Sequence, residues 1–300
     1  MKKIIEENTR AFTLLAKYLN YLPDYITKDK LDELCVGGYI SEEEAYAIIL
    51  SAVVGLDVAD NPEDRALFNT YFRGIKRLDV KDFSQDPYYQ KVKFPLVKIG
   101  DFSLNRRFLA PYELTVADDP TVLPNGRVIP TLGYFPEKFD YPAVFQGDRL
   151  WMSLLPNEIT TTLPAVEQAK GKVLTYGLGL GYFAYRAALK EEVSEVYVVE
   201  LSSEVITLFK HYILPCFGEC GKKIKVIHGD AIEYSKKVAP KEKFDFVFAD
   251  IWHDPSDGID LYLKLKEAEK LSPQTEYCYW VEKTLKVYID NLIGDGTVSS

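Results

Sequence analysis

The apolar positions of this chain change period twice. Up to about Leu78 they recur at helical intervals, as in Ile5, Phe12, Leu15 and Leu19, which predicts a run of amphipathic helices. Two of these helices carry start signals. Ser41-Glu42-Glu43-Glu44 reads as a capping box, with Ser41 covering the third amide and Glu44 reaching back, ahead of an apolar helix that stops at Gly55. Asn61-Pro62-Glu63-Asp64 puts a proline at the first helical position and two acids at the positive end of the helix dipole. From about Val92 to Leu155 strands and turns take over. Asn125-Gly126 predicts a tight hairpin, and Gly147-Asp148 joins Ala143-Val144-Phe145 to Leu150-Trp151-Met152 in a second, so a small antiparallel sheet is expected.

Beyond about Pro156 the pattern alternates between short buried-strand runs and helical stretches. The strand runs are Val173-Leu174, Val196 to Val199, Ile224 to Ile227 and Phe244 to Ala249. A helix is predicted from Leu261 to Leu271 and a fifth strand from Glu276 to Val281. Val281, Leu285, Tyr288 and Leu292 then mark a final helix. The reading divides the chain into a helical segment (1–80), a small β-rich segment (81–155) and an α/β domain (156–300).

Composition narrows the class. The 47% apolar and 27% charged fractions are those of an ordinary water-soluble domain, and 300 residues can bury a substantial core. The net charge of −9 and the lack of any long Lys/Arg block disfavour an extended nucleic-acid partner, Arg106-Arg107 reading as a solvated pair. No apolar run reaches the length of a membrane span, and the N-terminus has acids where a signal peptide needs its apolar core, so a cytoplasmic location without a membrane partner is expected. Cys35 and Cys278 read as buried thiols. Cys216 and Cys220 read as a loose reduced pair, since no second Cys or His pair stands at zinc-site spacing; no metal is expected.

The chemistry concentrates in the α/β domain. Its first strand leads through Tyr176 into Gly177, Gly179 and Gly181 at alternate positions, and a helical pattern follows. Strand, glycine turn and helix in that order bring backbone N–H groups against a polar ligand. A dinucleotide fingerprint would carry glycine at the sixth position, where this chain has Tyr182. The second strand ends at Glu200, followed by Leu201, and an acid about 20 residues past such a turn suits a bidentate hydrogen bond to ribose hydroxyls. Asp230 and Ala231 follow the third strand, Asp230 reading also as a helix N-cap, and Asp250 ends the fourth.

The G-x-G-x-G run and the acids that follow it resemble class I S-adenosylmethionine-dependent methyltransferases, over roughly the last half of the chain. A β-rich segment directly before this domain resembles the spermidine synthase branch. The resemblance implies a Rossmann-like sheet; the superfamily usually adds a closing two-stranded reversal, no segment remains for it here, and the sheet is expected to be abbreviated at its C-terminal edge or completed there by another segment. It implies S-adenosylmethionine as cofactor, held by Tyr176, Gly177, Gly179, Gly181, Glu200, Leu201, Asp230, Ala231 and Asp250, the acid after the third strand meeting the adenine amino group. It also implies acceptor-binding residues just after the fourth strand. There Asp250 and His253 are the candidate catalytic groups, with His253 reading equally as a solvated loop residue and Trp252 as a buried one. The acceptor would be a small molecule or a protein group, and the N-terminal segments would form a lid, an acceptor surface or a homodimer contact.

Sub-families separate on single positions. Spermidine synthase-type aminopropyltransferases match in order and at Asp254-Pro255 but carry an acid in the glycine loop where this chain has Leu180. Adenine amino-methyltransferases carry a motif that Asp250-Ile251-Trp252-His253 does not match. Catechol-type enzymes bind magnesium through acids that Asp250 and Asp290-Asn291 imitate, but the latter pair reads as a surface helix end. A non-catalytic scaffold of the same fold is the alternative from another class.

Overall fold

The computed structural model describes residues 2–253 and 255–294, with the backbone alone for 255–256 and 291–294. The N-terminal stretch is helical: α1 (Lys2–Tyr21), α2 (Lys28–Leu34), α3 (Glu42–Val53) and α4 (Pro62–Leu67), which runs on into a π-turn at Phe68–Phe72. Strand β1 (Lys76–Arg77) and helices α5 (Val80–Ser84) and α6 (Pro87–Lys91) follow. Strands β2 (Val97–Ile99), β3 (Phe102–Leu109), β4 (Thr115–Val122), β5 (Val128–Tyr134), β6 (Phe139–Gln146) and β7 (Arg149–Ser153) come next. The last part alternates: α7 (Pro156–Gln168), β8 (Gly171–Tyr176), α8 (Tyr182–Ala188), β9 (Val193–Glu200), α9 (Ser203–Leu208), β10 (Ile224–His228), α10 (Ala231–Lys237), α11 (Ala239–Glu242), β11 (Phe246–Ala249), α12 (Pro255–Glu269), β12 (Glu276–Tyr279) and α13 (Glu282–Gly294). Among the described residues no helix is long and apolar enough to cross a membrane.

Contacts divide the chain into two units, one of residues 1–84, 108–141 and 155–157, the other of 85–107, 142–154 and 158–300. In the first, α1 to α4 enclose a core of Ala11, Leu15, Tyr46, Leu50, Tyr71 and Phe72. The cap of α3 forms as its sequence predicts, Ser41 Oγ accepting from Glu44 N at 3.1 Å. The reciprocal half of the box is not made: the Glu44 carboxylate turns to Arg73 instead, at 3.2 Å. Asn61 caps α4 from the amides of Glu63 and Asp64. Gly126, at φ +86, makes the predicted turn between antiparallel β4 and β5, and β1 adds to β5 as a short parallel edge. Tyr46 stacks on Tyr134 at 4.3 Å, and its hydroxyl donates to the Tyr112 carbonyl.

The antiparallel strands therefore form two sheets rather than the one expected. The second has the order β2-β3-β6-β7, and the Gly147-Asp148 turn pairs Gln146 with Arg149. The two-residue β1 and the polar-rich β3 carry no alternation strong enough to read from sequence.

In the second unit lies a five-stranded, wholly parallel sheet of order β10-β9-β8-β11-β12, which is 3-2-1-4-5 in sequence order of its strands. The chain crosses from β10 over the sheet to β11 outside β8, creating the switch point at which doubly wound sheets open a crevice. Pairing register and alternation give each face its residues. Val173, Thr175, Val196, Val198, Phe246 and Phe248 share one face, where Phe183 of α8 meets Phe248 at 4.5 Å. Leu174, Tyr176, Val199, Val247, Ala249, Tyr277 and Tyr279 share the other. No strand pairs with the outer edge of β12 among the described residues.

Candidate functional site

The carboxyl ends of four strands finish level. Tyr176 lies opposite Val199 and Ala249, and Glu200 lies opposite His228. Backbone bonds continue the ladder one step past the strands: Gly177 N donates to Val199 O at 2.9 Å, Asp250 N to Tyr176 O at 2.9 Å and Gly229 N to Glu200 O at 3.0 Å. The glycine turn, Glu200, Asp230 and Asp250 are thus brought to one edge of one sheet.

Gly177 is required there. Its φ is +92°, and a Cβ on it would stand 1.9 Å from the Asp250 carbonyl oxygen, so any side chain would force β8 and β11 apart. Gly179 is needed for a different reason: a Cβ would stand 2.1 Å from Met152 Sδ. The sequence reading assigned the open face of the turn to a ligand, and in this structure a side chain of the protein rests on it.

The amides of the turn are largely engaged. Gly177 N is in the ladder, Leu178 N donates to Glu200 Oε2 at 3.0 Å, Leu180 N to Met152 Sδ at 3.1 Å and Gly181 N to Leu178 O at 2.7 Å. Gly179 N alone has no acceptor among the described residues. Leu180 is fully buried, and its carbonyl accepts from the Tyr88 hydroxyl, so both of its backbone groups are fixed. A further brace ties α6 to α8. Asp86, buried, caps α6 through Tyr88 N, accepts from the Tyr182 hydroxyl at 2.8 Å and pairs with Arg186.

Glu200 is half-buried, and its second oxygen accepts from Ser202 N at 2.8 Å. The carboxylate thus clamps the glycine turn to the start of α9, with lone pairs left on both oxygens. Leu201 beside it is 67% exposed, an apolar surface at the rim. Asp230 is exposed and caps α10, Oδ1 accepting from Glu233 N at 2.8 Å, as the sequence predicts. Ala231 is half-buried behind it. Tyr176 reaches the edge through its backbone only. Its side chain is buried in the sheet, and its hydroxyl has no partner there.

Asp250 faces inward. It lines a cavity of about 20 Å³ together with Glu158, Thr162, Thr175, Met152 and Tyr182, room for about one water. Burial pushes its carboxyl up to about 7, with no partner to its oxygens among the described residues to offset the loss of water. His253 is exposed, its ring edge-on to Trp151 at 4.8 Å and its amide on Asp257 at 3.1 Å. Trp252 is buried, with Gly258 packed against its ring. Asp254 and the side chain of Asn291, both weighed in the sequence reading, lie outside the described residues.

The four cysteines are free, half-buried thiols, so the simple burial expected for Cys35 and Cys278 is only partial. Burial raises Cys278 to about 11. Among the described residues no group of three or more His, Cys, Asp or Glu is placed to hold a metal.

The parts played by Met152, Glu158 and Tyr88 were missed by sequence reasoning. The Gly147-Asp148 turn signals the hairpin of Met152 but not where its side chain lands, and the helix start and short connecting helix of the other two carry no motif.

No family model matches the chain, and no curated protein matches it in sequence. Among solved structures it is similar to precorrin 8W decarboxylase, the product of gene MT0146 of Methanobacterium thermoautotrophicum. The identity is 18% and the TM-score 0.30, over 39% of this chain and 57% of that one. It is also similar to spermidine synthase from Thermotoga maritima, with 13% identity and a TM-score of 0.35, over 50% of this chain and 56% of that one. The chain thus covers little more than half the length of either protein, and at these scores neither lends its chemistry to this site.

Proposed function

We propose that this chain binds S-adenosylmethionine along the carboxyl edge of its parallel sheet and transfers the methyl group to a small molecule or a protein group. The observation that supports this best is the meeting of the glycine turn with Glu200 and Asp250, through the bond from Leu178 N to Glu200 and the close approach of Gly177 to the Asp250 carbonyl. In this reading Glu200 accepts from the ribose hydroxyls beside Leu201. Asp230, with one oxygen outside its cap, meets the adenine amine beside Ala231. Gly177, Gly179, Gly181 and the Tyr176 backbone form the floor. The free lone pairs of Glu200 and the unengaged Gly179 amide suit a polar nucleoside.

The cofactor supplies a methyl group activated on a sulfonium sulfur. The chain's own task is to hold the acceptor in line and to take its proton. Asp250, raised to about 7, is tuned for proton transfer near neutral pH, and His253 stands at the rim as a second base.

Isothermal titration with S-adenosylmethionine tests the reading. Binding by the wild-type chain is expected, weakened about ten-fold or more in Glu200→Ala through loss of a charged hydrogen-bond acceptor. No binding by wild type, or unchanged binding by the variant, overturns it.

One observation favours a second reading, a scaffold of the same fold. Most amides of the turn are satisfied internally, and the cavity holds about one water. Binding without release of demethylated cofactor in cell extract would support that reading. Aminopropyl transfer predicts preference for the decarboxylated cofactor, and the buried Leu180 offers its amine no acid.

A further inference from the structure

Two side chains pack directly on glycines of the turn, the aromatic ring of Phe209 on Gly181 and the thioether of Met152 on Gly179. Only two methionines occur in the chain, Met1 and Met152. Met152 lies on β7, which among the described residues pairs with β6 alone and so forms the edge of its sheet. The register there is broken: Val144 pairs with Met152, the next residue Phe145 pairs with Leu150, and Trp151 is left over as a bulge. The bulge turns the Met152 side chain onto the turn, where its sulfur accepts from Leu180 N at 3.1 Å and covers Gly179. What remains beneath is the cavity of about 20 Å³, whereas small-molecule sites span about 300–1,000 Å³.

The contact is built to be exchangeable. A thioether sulfur is a weak acceptor, so a ligand oxygen would replace it on the Leu180 amide with gain. The side chain is unbranched, with three rotatable bonds, and can swing without moving its backbone. Its strand is an edge strand already interrupted by a bulge, so displacement of the hairpin breaks one ladder only. No other turn amide is held by so weak a partner: Leu178 is on a carboxylate and Gly177 and Gly181 are on carbonyls.

We propose that Met152 is a displaceable plug of the glycine turn: without ligand its thioether occupies the Leu180 amide and the space over Gly179, and a nucleoside ligand binds only after that side chain has swung away. This rests on the reading of the turn as a cofactor site and adds a gate to it. The affinity of the wild-type chain is then reduced by the fraction of molecules in which the plug is open, and removing the plug recovers that factor. Trp151, edge-on to His253, sits next to the gate, so opening of the hairpin would also disturb the loop after β11.

The test uses the full chain with 13C-methyl-labelled methionine, which gives two signals, and titration of S-adenosylmethionine into wild type, Met152→Ala and Met152→Leu. The expected result is a shift of the Met152 methyl signal on saturation and about ten-fold tighter binding by Met152→Ala. Met152→Leu, which keeps the bulk and lacks the sulfur, should stay within about three-fold of wild type, by the same population argument. Binding by Met152→Ala alone would support the plug more strongly still. Binding by all three with equal affinity and an unmoved methyl signal overturns the plug and leaves the cofactor reading standing. No binding by any of the three overturns both. Circular dichroism of each variant shows that it is folded before the titrations are compared.

Discussion

At the scale of the residue, Asp250 has the most unusual chemistry. An acid whose folded-state value lies near 7 keeps a proton that the unfolded chain releases from about pH 4 upward. Stability therefore falls as pH rises from about 4 and levels off above about 7, the reverse of a salt-bridged carboxylate. Asp250→Asn removes the titration while retaining shape. Denaturant midpoints of the two proteins are expected to lie close together at pH 3, with the variant more stable by about 2–4 kcal/mol at pH 8. Equal midpoints at both values would show that the carboxyl is hydrated and not raised. Its position after the fourth strand was legible in the sequence. Its titration was not, because that depends on the small cavity closed around it by Met152, Glu158 and Thr162.

Elements show where local patterns suffice. The start of α3 is written entirely in residues 41–44, and the cap forms because Ser41 needs only an amide three residues away. The second half of the box fails for an equally simple reason: Arg73, folded beside the helix from 29 residues away, offers Glu44 a charged partner. The two halves are therefore expected to separate on mutation. Ser41→Ala should cost about 1 kcal/mol. Glu44→Ala should cost less than about 0.5 kcal/mol, the range of an exposed ion pair. Thermal denaturation of both variants checks the pair, and equal losses would mean that Glu44 does close the box in solution. The same logic explains which strands were readable. β8, β9 and β11 carry apolar runs because the inner strands of a parallel sheet are buried on both faces, whereas β1 is two residues long and β3 is covered on one side only in part.

Across the molecule, the parallel sheet should be the slowest part of its unit to open. β8 and β11 are flanked on both sides by other strands and are apolar where they pair except at the buried Thr175. Native-state hydrogen exchange is expected to be slowest at Val173 to Thr175 and Phe246 to Phe248, and faster by orders of magnitude in the edge strand β7 around Met152. Protection in β7 equal to that of the central strands would argue against a hairpin that moves. The net charge of −9 belongs to this scale too, since it bears on partners and not on fold.

The sequence by itself determined the order of elements: helices first, hairpins next, then strand and helix in alternation, with a glycine turn after the first strand and acids after the second, third and fourth. Those features are local. A period of two or 3.6, a cap or a turn is completed within a few residues, and the level ends of a parallel sheet follow once the strands are paired. Only the tertiary structure decided what lies over the turn. Met152 reaches Leu180 from 28 residues away and Tyr88 reaches it from 92, across contacts that have no period and no motif. Whether a glycine turn lies open or filled depends on such long-range packing, because a bare backbone is as good a seat for a neighbouring side chain as for a ligand.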